Sequence, residues 1–139
     1  AKKALVPALE AVKPGGVVVL VGQCPRNWGA FEADMELLRP ETVLEKRQLI
    51  RDELESKTLE RGWAPCSPGM LFSSACYDRG VTVIAVTDMV QALEGTYIEA
   101  ADHLTTAMLM AEELVGTDAT ITVIPEGRRT ICKTAVRRQ

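Results

Sequence analysis

Chemistry in this chain could centre on four cysteines, one histidine and a pair of serines. Cys24, Cys66, Cys76 and Cys132 are spread along the sequence with no CxxC pair and no histidine near them, so they do not compose a zinc set. They read as reduced, mostly structural thiols. Cys24 stands apart, two residues before Arg26 in the loop Gln23-Cys24-Pro25-Arg26-Asn27-Trp28-Gly29 that follows an apolar run. A neighbouring cation there would favour a nucleophilic thiolate, against the blander reading of a small buried side chain. His103 is the sole histidine, so a Ser-His-Asp arrangement has one possible centre. It follows Asp102 on the flank of an amphipathic pattern, where a hydrogen-bonded structural histidine is expected rather than a general base. Ser73 and Ser74 lack the G-x-S-x-G turn of a hydrolase nucleophile. The stretch from Gly22 to Gly29 occupies the place of a dinucleotide fingerprint without its G-x-G-x-x-G spacing. From the residues alone, no catalytic set is complete.

The elements that would position these residues follow from periodicity. Leu5, Leu9 and Val12 with Ala8 give one apolar stripe over Ala4 to Val12, a short helix despite Pro7. Pro14-Gly15-Gly16 ends it. Val17 to Val21 is continuous, branched and bounded by glycines, as expected of a parallel strand buried on both faces. Its exit loop is where open α/β sheets take ligands. A helical pattern begins near Phe31, and a charged, exposed helix with a thin apolar seam runs from Glu41 to Glu60. Arg61 to Gly69, with Trp63, is a loop punctuated by Pro and Gly. Met70 to Tyr77 reads as a short helix and Val81 to Val86 as a second buried strand. Leu104, Ala107, Met108, Ala111, Leu114 and Val115 mark one buried face of a helix within 100–115, ended by Gly116. Ala119 to Ile124 reads as a third strand stopped by Pro125-Glu126-Gly127, and a solvated basic tail follows.

Alternating strands and helices predict a small, mostly parallel sheet of three to four strands flanked by helices, a Rossmann-like three-layer α/β domain with right-handed crossovers. Three strands make a narrow sheet, completed by an unseen fourth or by another part of a larger protein. With 139 residues, 47% hydrophobic and 25% charged, residues 1–139 are expected to be one globular domain. The net charge of -3 supplies no global attraction to phosphate backbones, so no nucleic-acid partner is expected. No apolar run is long enough to span a bilayer and no signal-peptide core precedes the first proline, so no membrane partner and a cytoplasmic setting are expected. The chain begins at Ala1 without a methionine, which suits either a trimmed initiator or a piece of a longer polypeptide.

Lys13-Pro14-Gly15-Gly16-Val17-Val18-Val19-Leu20-Val21, the loop Gln23 to Gly29 with Phe31, and the stretch Ala107 to Gly127 belong together in one further reading. Met110 to Ala119 followed by Val123-Ile124-Pro125-Glu126-Gly127 resembles the end of the nickel-pincer lactate racemase family. The resemblance covers most of the chain but only that family's C-terminal domain. It implies a two-domain parent enzyme that inverts the chiral carbon of a small 2-hydroxy acid. There a nickel-pincer nucleotide accepts the substrate hydride and returns it to either face. The cofactor-tethering lysine, the nickel-ligating histidine and the acid/base histidines would all belong to the N-terminal domain, the partner of this one. This chain would then hold no cofactor and no metal, and would be inactive by itself. The family's Gln-x-x-Lys pair places its lysine on Lys3, whose ammonium would pair with the substrate carboxylate. Trp63 would match the family tryptophan, although Gly62 and Ala64-Pro65-Cys66 around it depart from the family pattern. Gln23, Cys24, Asn27, Trp28 and Gly29 would line the substrate and cofactor cleft. Two other classes stay open: a free-standing α/β ligand-binding or interaction module without catalysis, and a thiol-dependent enzyme using Cys24.

Overall fold

The computed structural model describes residues 2–22, 35–56, 67–127 and 129–132. Three parallel strands lie in the order β1 (Val17–Val21), β2 (Thr82–Val86) and β3 (Glu99–Ala101). Val17 pairs with Thr82 and Val21 with Val86, while Ile84 pairs with Glu99 and Val86 with Ala101. The helices are α1 (Lys2–Ala11), α2 (Val43–Ser56), α3 (Ser67–Ser73, extended by a π-helical turn over Ser74–Asp78) and α4 (Leu104–Val115). The pleat divides the core in two. Val18 and Val83 face α1 and α3, joining Leu5, Leu9, Phe72 and Ala75. Ile84, Val86 and Ala101 face the other way, against Ala107 and Ala111 of α4. Helices therefore cover both faces, as the continuous apolar runs of β1 and β2 require.

The turn between α1 and β1 explains the Pro-Gly-Gly sequence. The Gly16 amide donates to the Lys13 carbonyl at 3.0 Å, with Pro14 and Gly15 at the corners and Gly15 at φ 74°. This is a type II turn, which wants Pro first and glycine second. At Gly16 a Cβ would lie 2.6 Å from Val12 Cγ2 and 3.0 Å from the Lys13 carbonyl oxygen. Arg79 closes the same corner from the other side. Its guanidinium donates to the Leu9 carbonyl at 2.6 Å and to the Val12 carbonyl at 2.7 Å, satisfying acceptors that the end of α1 leaves open. The Gly15 amide in turn donates to the Arg79 carbonyl at 3.0 Å.

A second polar anchor fixes α2. Arg47 is buried at 6% exposure, and its Nη2 donates to both oxygens of Asp78 at 3.0 and 2.7 Å. Ser74 donates to the same carboxylate at 2.7 Å. The Arg47 bond, then the Ser74 bond, hold the Asp78 carboxyl below its usual range. Beside this cluster Tyr77 and Tyr97 meet edge to face with centroids 5.4 Å apart. The Tyr97 hydroxyl donates to the Leu37 carbonyl at 2.5 Å, and burial pushes the phenol well above its usual value.

Three expectations need correction. Residues 119–124 pair with no strand among the described residues, and Ile121 and Val123 are exposed at 64% and 77%. The third strand is Glu99–Ala101, a short segment that the helical reading of 100–115 absorbs. The apolar face of α4 is only partly buried: Ala107 and Ala111 are covered, whereas Leu104, Leu114 and Val115 overhang the short strands and stay exposed. At the expected loop, α3 already begins at Ser67.

Candidate functional site

Parallel strands deliver all their exits to one edge, and here that edge gathers Gly22, Thr87-Asp88 and Asp102-His103. The ladder runs one residue beyond β1 and β2, keeping the exits in line: Gly22 N–H donates to the Val86 carbonyl at 3.1 Å and Thr87 N–H to the Ala101 carbonyl at 3.0 Å. Thr87 is buried, and its hydroxyl accepts from the Met89 amide at 3.2 Å, which turns the chain and leaves Asp88 exposed. At the third exit His103 is the N-cap of α4 yet makes no side-chain cap bond. Its Nε2 lies 3.8 Å from Asp102 Oδ2, and its side chain is 79% exposed. The expected satisfied structural histidine is thus corrected: His103 faces solvent because the chain leaves β3 at the rim, not in the core.

Lys3 belongs to the first turn of α1. The carboxyl end of α1 is clamped by Arg79, which precedes β2, so it sits at the opposite, amino edge of the sheet. Leu5 and Leu9 pack the helix against β1, in the core that Val18 and Val83 face. Ten residues rise about 15 Å, about the length of β1, which places the first turn of α1 toward the exits. Lys3 lies on that turn and is exposed. Pro7 has no N–H to donate to the Lys3 carbonyl, so this turn is held less tightly than the rest. The turn Pro125-Glu126-Gly127 packs beside it: a Cβ on Gly127 would lie 3.1 Å from Ala4 Cβ. Within that turn the Arg129 amide and the Thr130 hydroxyl both donate to the Glu126 carbonyl, at 2.8 and 2.9 Å.

Of the residues expected to form the site, Lys3 alone is described, exposed on the first turn of α1. Gln23, Cys24, Asn27, Trp28, Gly29 and Trp63 lie outside the described residues. Sequence reasoning missed Thr87-Asp88 and Asp102-His103 as neighbours, because β3 went unseen; the cue was Asp102-His103 standing directly before the apolar helical pattern. Among the described residues no group of three His, Cys, Asp or Glu could hold a metal ion. Cys76 and Cys132 are free and partly buried, and burial pushes the Cys76 thiol up to about 11. Cys76 is therefore a packing residue at neutral pH. No described helix is long and apolar enough to cross a membrane. A hollow of about 170 Å³ between α1 and α3, bordered by Val6, Leu71 and Arg79, lies on the helical layer, away from the exit edge.

Compared with known proteins, the chain matches one family model over residues 1–132, described as the lactate racemase C-terminal domain. No curated protein and no solved structure matches it.

Proposed function

The chain belongs to the lactate racemase C-terminal domain family, and we propose that it forms one wall of an interdomain site in which a small 2-hydroxy acid is racemised or epimerised. The observation that carries this reading is the family match over residues 1–132. Lys3, exposed on the first turn of α1, is available to such a cleft, and interdomain clefts and strand exits are where ligands gather.

In this reading the nickel-pincer nucleotide is carried by an N-terminal domain. It supplies the hydride acceptor there. The work assigned to this chain is substrate binding and exclusion of water. The Lys3 ammonium holds the substrate carboxylate as a point charge. Trp63 gives the apolar wall, and Gln23, Cys24, Asn27, Trp28 and Gly29 line the cleft as this domain closes over it. The domain alone is catalytically silent, and the parent is a cytoplasmic isomerase. In the full-length protein Lys3→Ala lowers turnover of the hydroxy acid at least tenfold, whereas Lys3→Arg retains part of it. Unchanged kinetics for Lys3→Ala would remove the lysine from the site.

A further inference from the structure

Residues 119–124, Ala-Thr-Ile-Thr-Val-Ile, have the composition of a strand and no ladder partner among the described residues. Their path is fixed at both ends. They leave α4 through Gly116, whose φ of 83° turns the chain, and they end in the turn whose Gly127 touches Ala4 of α1. α4 lies against β1 on one face of the sheet and α1 lies against β1 on the other. The shortest path between them passes the edge of β1 that has no partner among the described residues. That edge is five aliphatic residues with no proline and no charge, and Val21 is 66% exposed. Among the described residues nothing blunts or covers it.

Handedness points the same way. The β1 to β2 connection runs over the α3 face, whereas α4 leaves β3 on the opposite face. For both crossovers to be right-handed, the segment after α4 must return past β2 to the far side of β1.

We propose that residues 119–124 are a strap that adds to the free edge of β1 as a fourth parallel strand when a 2-hydroxy acid occupies the exit edge. The inference rests on the function proposed above. The order becomes fourth, β1, β2, β3, which reverses at β1 and opens a crevice between the exits of β1 and the strap. Gly22 stands at one lip and Pro125-Glu126-Gly127 at the other, with Lys3 on the adjoining turn of α1. A ligand that touches both lips binds the paired form more tightly and so draws the strap in.

Amide hydrogen exchange of the full-length protein, with and without saturating lactate, tests this. A strand with one neighbour donates from alternate residues, so alternate amides within 120–124 should slow at least tenfold with lactate. If the protein interconverts lactate enantiomers while these amides exchange unchanged, the strap is refuted and the proposed function stands. If it neither binds nor interconverts 2-hydroxy acids, the strap falls together with that function.

Discussion

Replacing Arg79 by methionine keeps most of the side-chain bulk and removes the clamp that holds α1. The guanidinium makes two short bonds, 2.6 Å to the Leu9 carbonyl and 2.7 Å to the Val12 carbonyl, in a half-buried position. A hydrogen bond to a charged group contributes about 1.5 to 3 kcal/mol, and partial exposure selects the lower end. Losing both therefore costs about 3 kcal/mol. In a domain of this size that corresponds to a fall in Tm of about 10 °C. Thermal unfolding followed by circular dichroism reads the change directly. Lysine at this position carries the charge without the fork that spans two acceptors, so Arg79→Lys should recover about half the loss. The damage should be local: amides at the end of α1 lose exchange protection before those of β2. A methionine variant within about 0.5 kcal/mol of the parent would refute the clamp.

Asp78→Asn strips the buried Arg47 of its carboxylate and should cost about 2 kcal/mol, less than for a fully buried pair because the Asp78 side chain is half exposed. The Asp78 carboxyl is held low by Arg47 and Ser74, so its contribution is present above the unfolded-state value near about 3.9 and is lost as the pH falls through its lower folded value. Unfolding followed down an acid series should be less pH-sensitive in the Asn variant in that window, and an equal slope would contradict the assignment. Gly16→Ala places a Cβ 2.6 Å from Val12 Cγ2, and should cost about 1 to 3 kcal/mol in chemical denaturation; a neutral result would show that Val12 can move aside. Alkylation of Cys76, with its thiol pushed up to about 11, should run about 100-fold slower at neutral pH than that of an ordinary thiol. Labelling as fast as glutathione, read site by site by mass spectrometry, would contradict its burial.

The strongest patterns in the sequence are also the firmest parts of the fold. β1 and β2 are runs of branched residues that only a sheet covered on both faces can bury, and Gly15 and Gly16 mark the turn before β1 because one needs a positive φ and the other has no space for a Cβ. β3 escaped notice because Glu99, Ala100 and Ala101 carry no β-branched signal; its pairing is dictated by β2 beside it. The opposite error arose at 119–124, where Thr and aliphatic residues alternate as in a strand but the backbone pairs with nothing among the described residues. Strand character is a local property, whereas pairing depends on what reaches the edge of β1. The site was legible to a lesser degree. Lys3 is suggested by family resemblance alone, since a lone exposed lysine on a first helical turn carries no chemical signature. Asp102 and His103 are exit residues because β3 ends at Ala101, directly before them.

The central claim is that this domain supplies a wall, and Lys3 a carboxylate contact, to a 2-hydroxy-acid racemase. The most direct test follows optical activity as the full-length protein is incubated with pure D- or L-lactate, beside its Lys3→Ala variant. Interconversion by the parent is expected from either enantiomer, reduced at least tenfold in the variant. Retention of optical purity by the parent, with lactate and with other short 2-hydroxy acids, would contradict it.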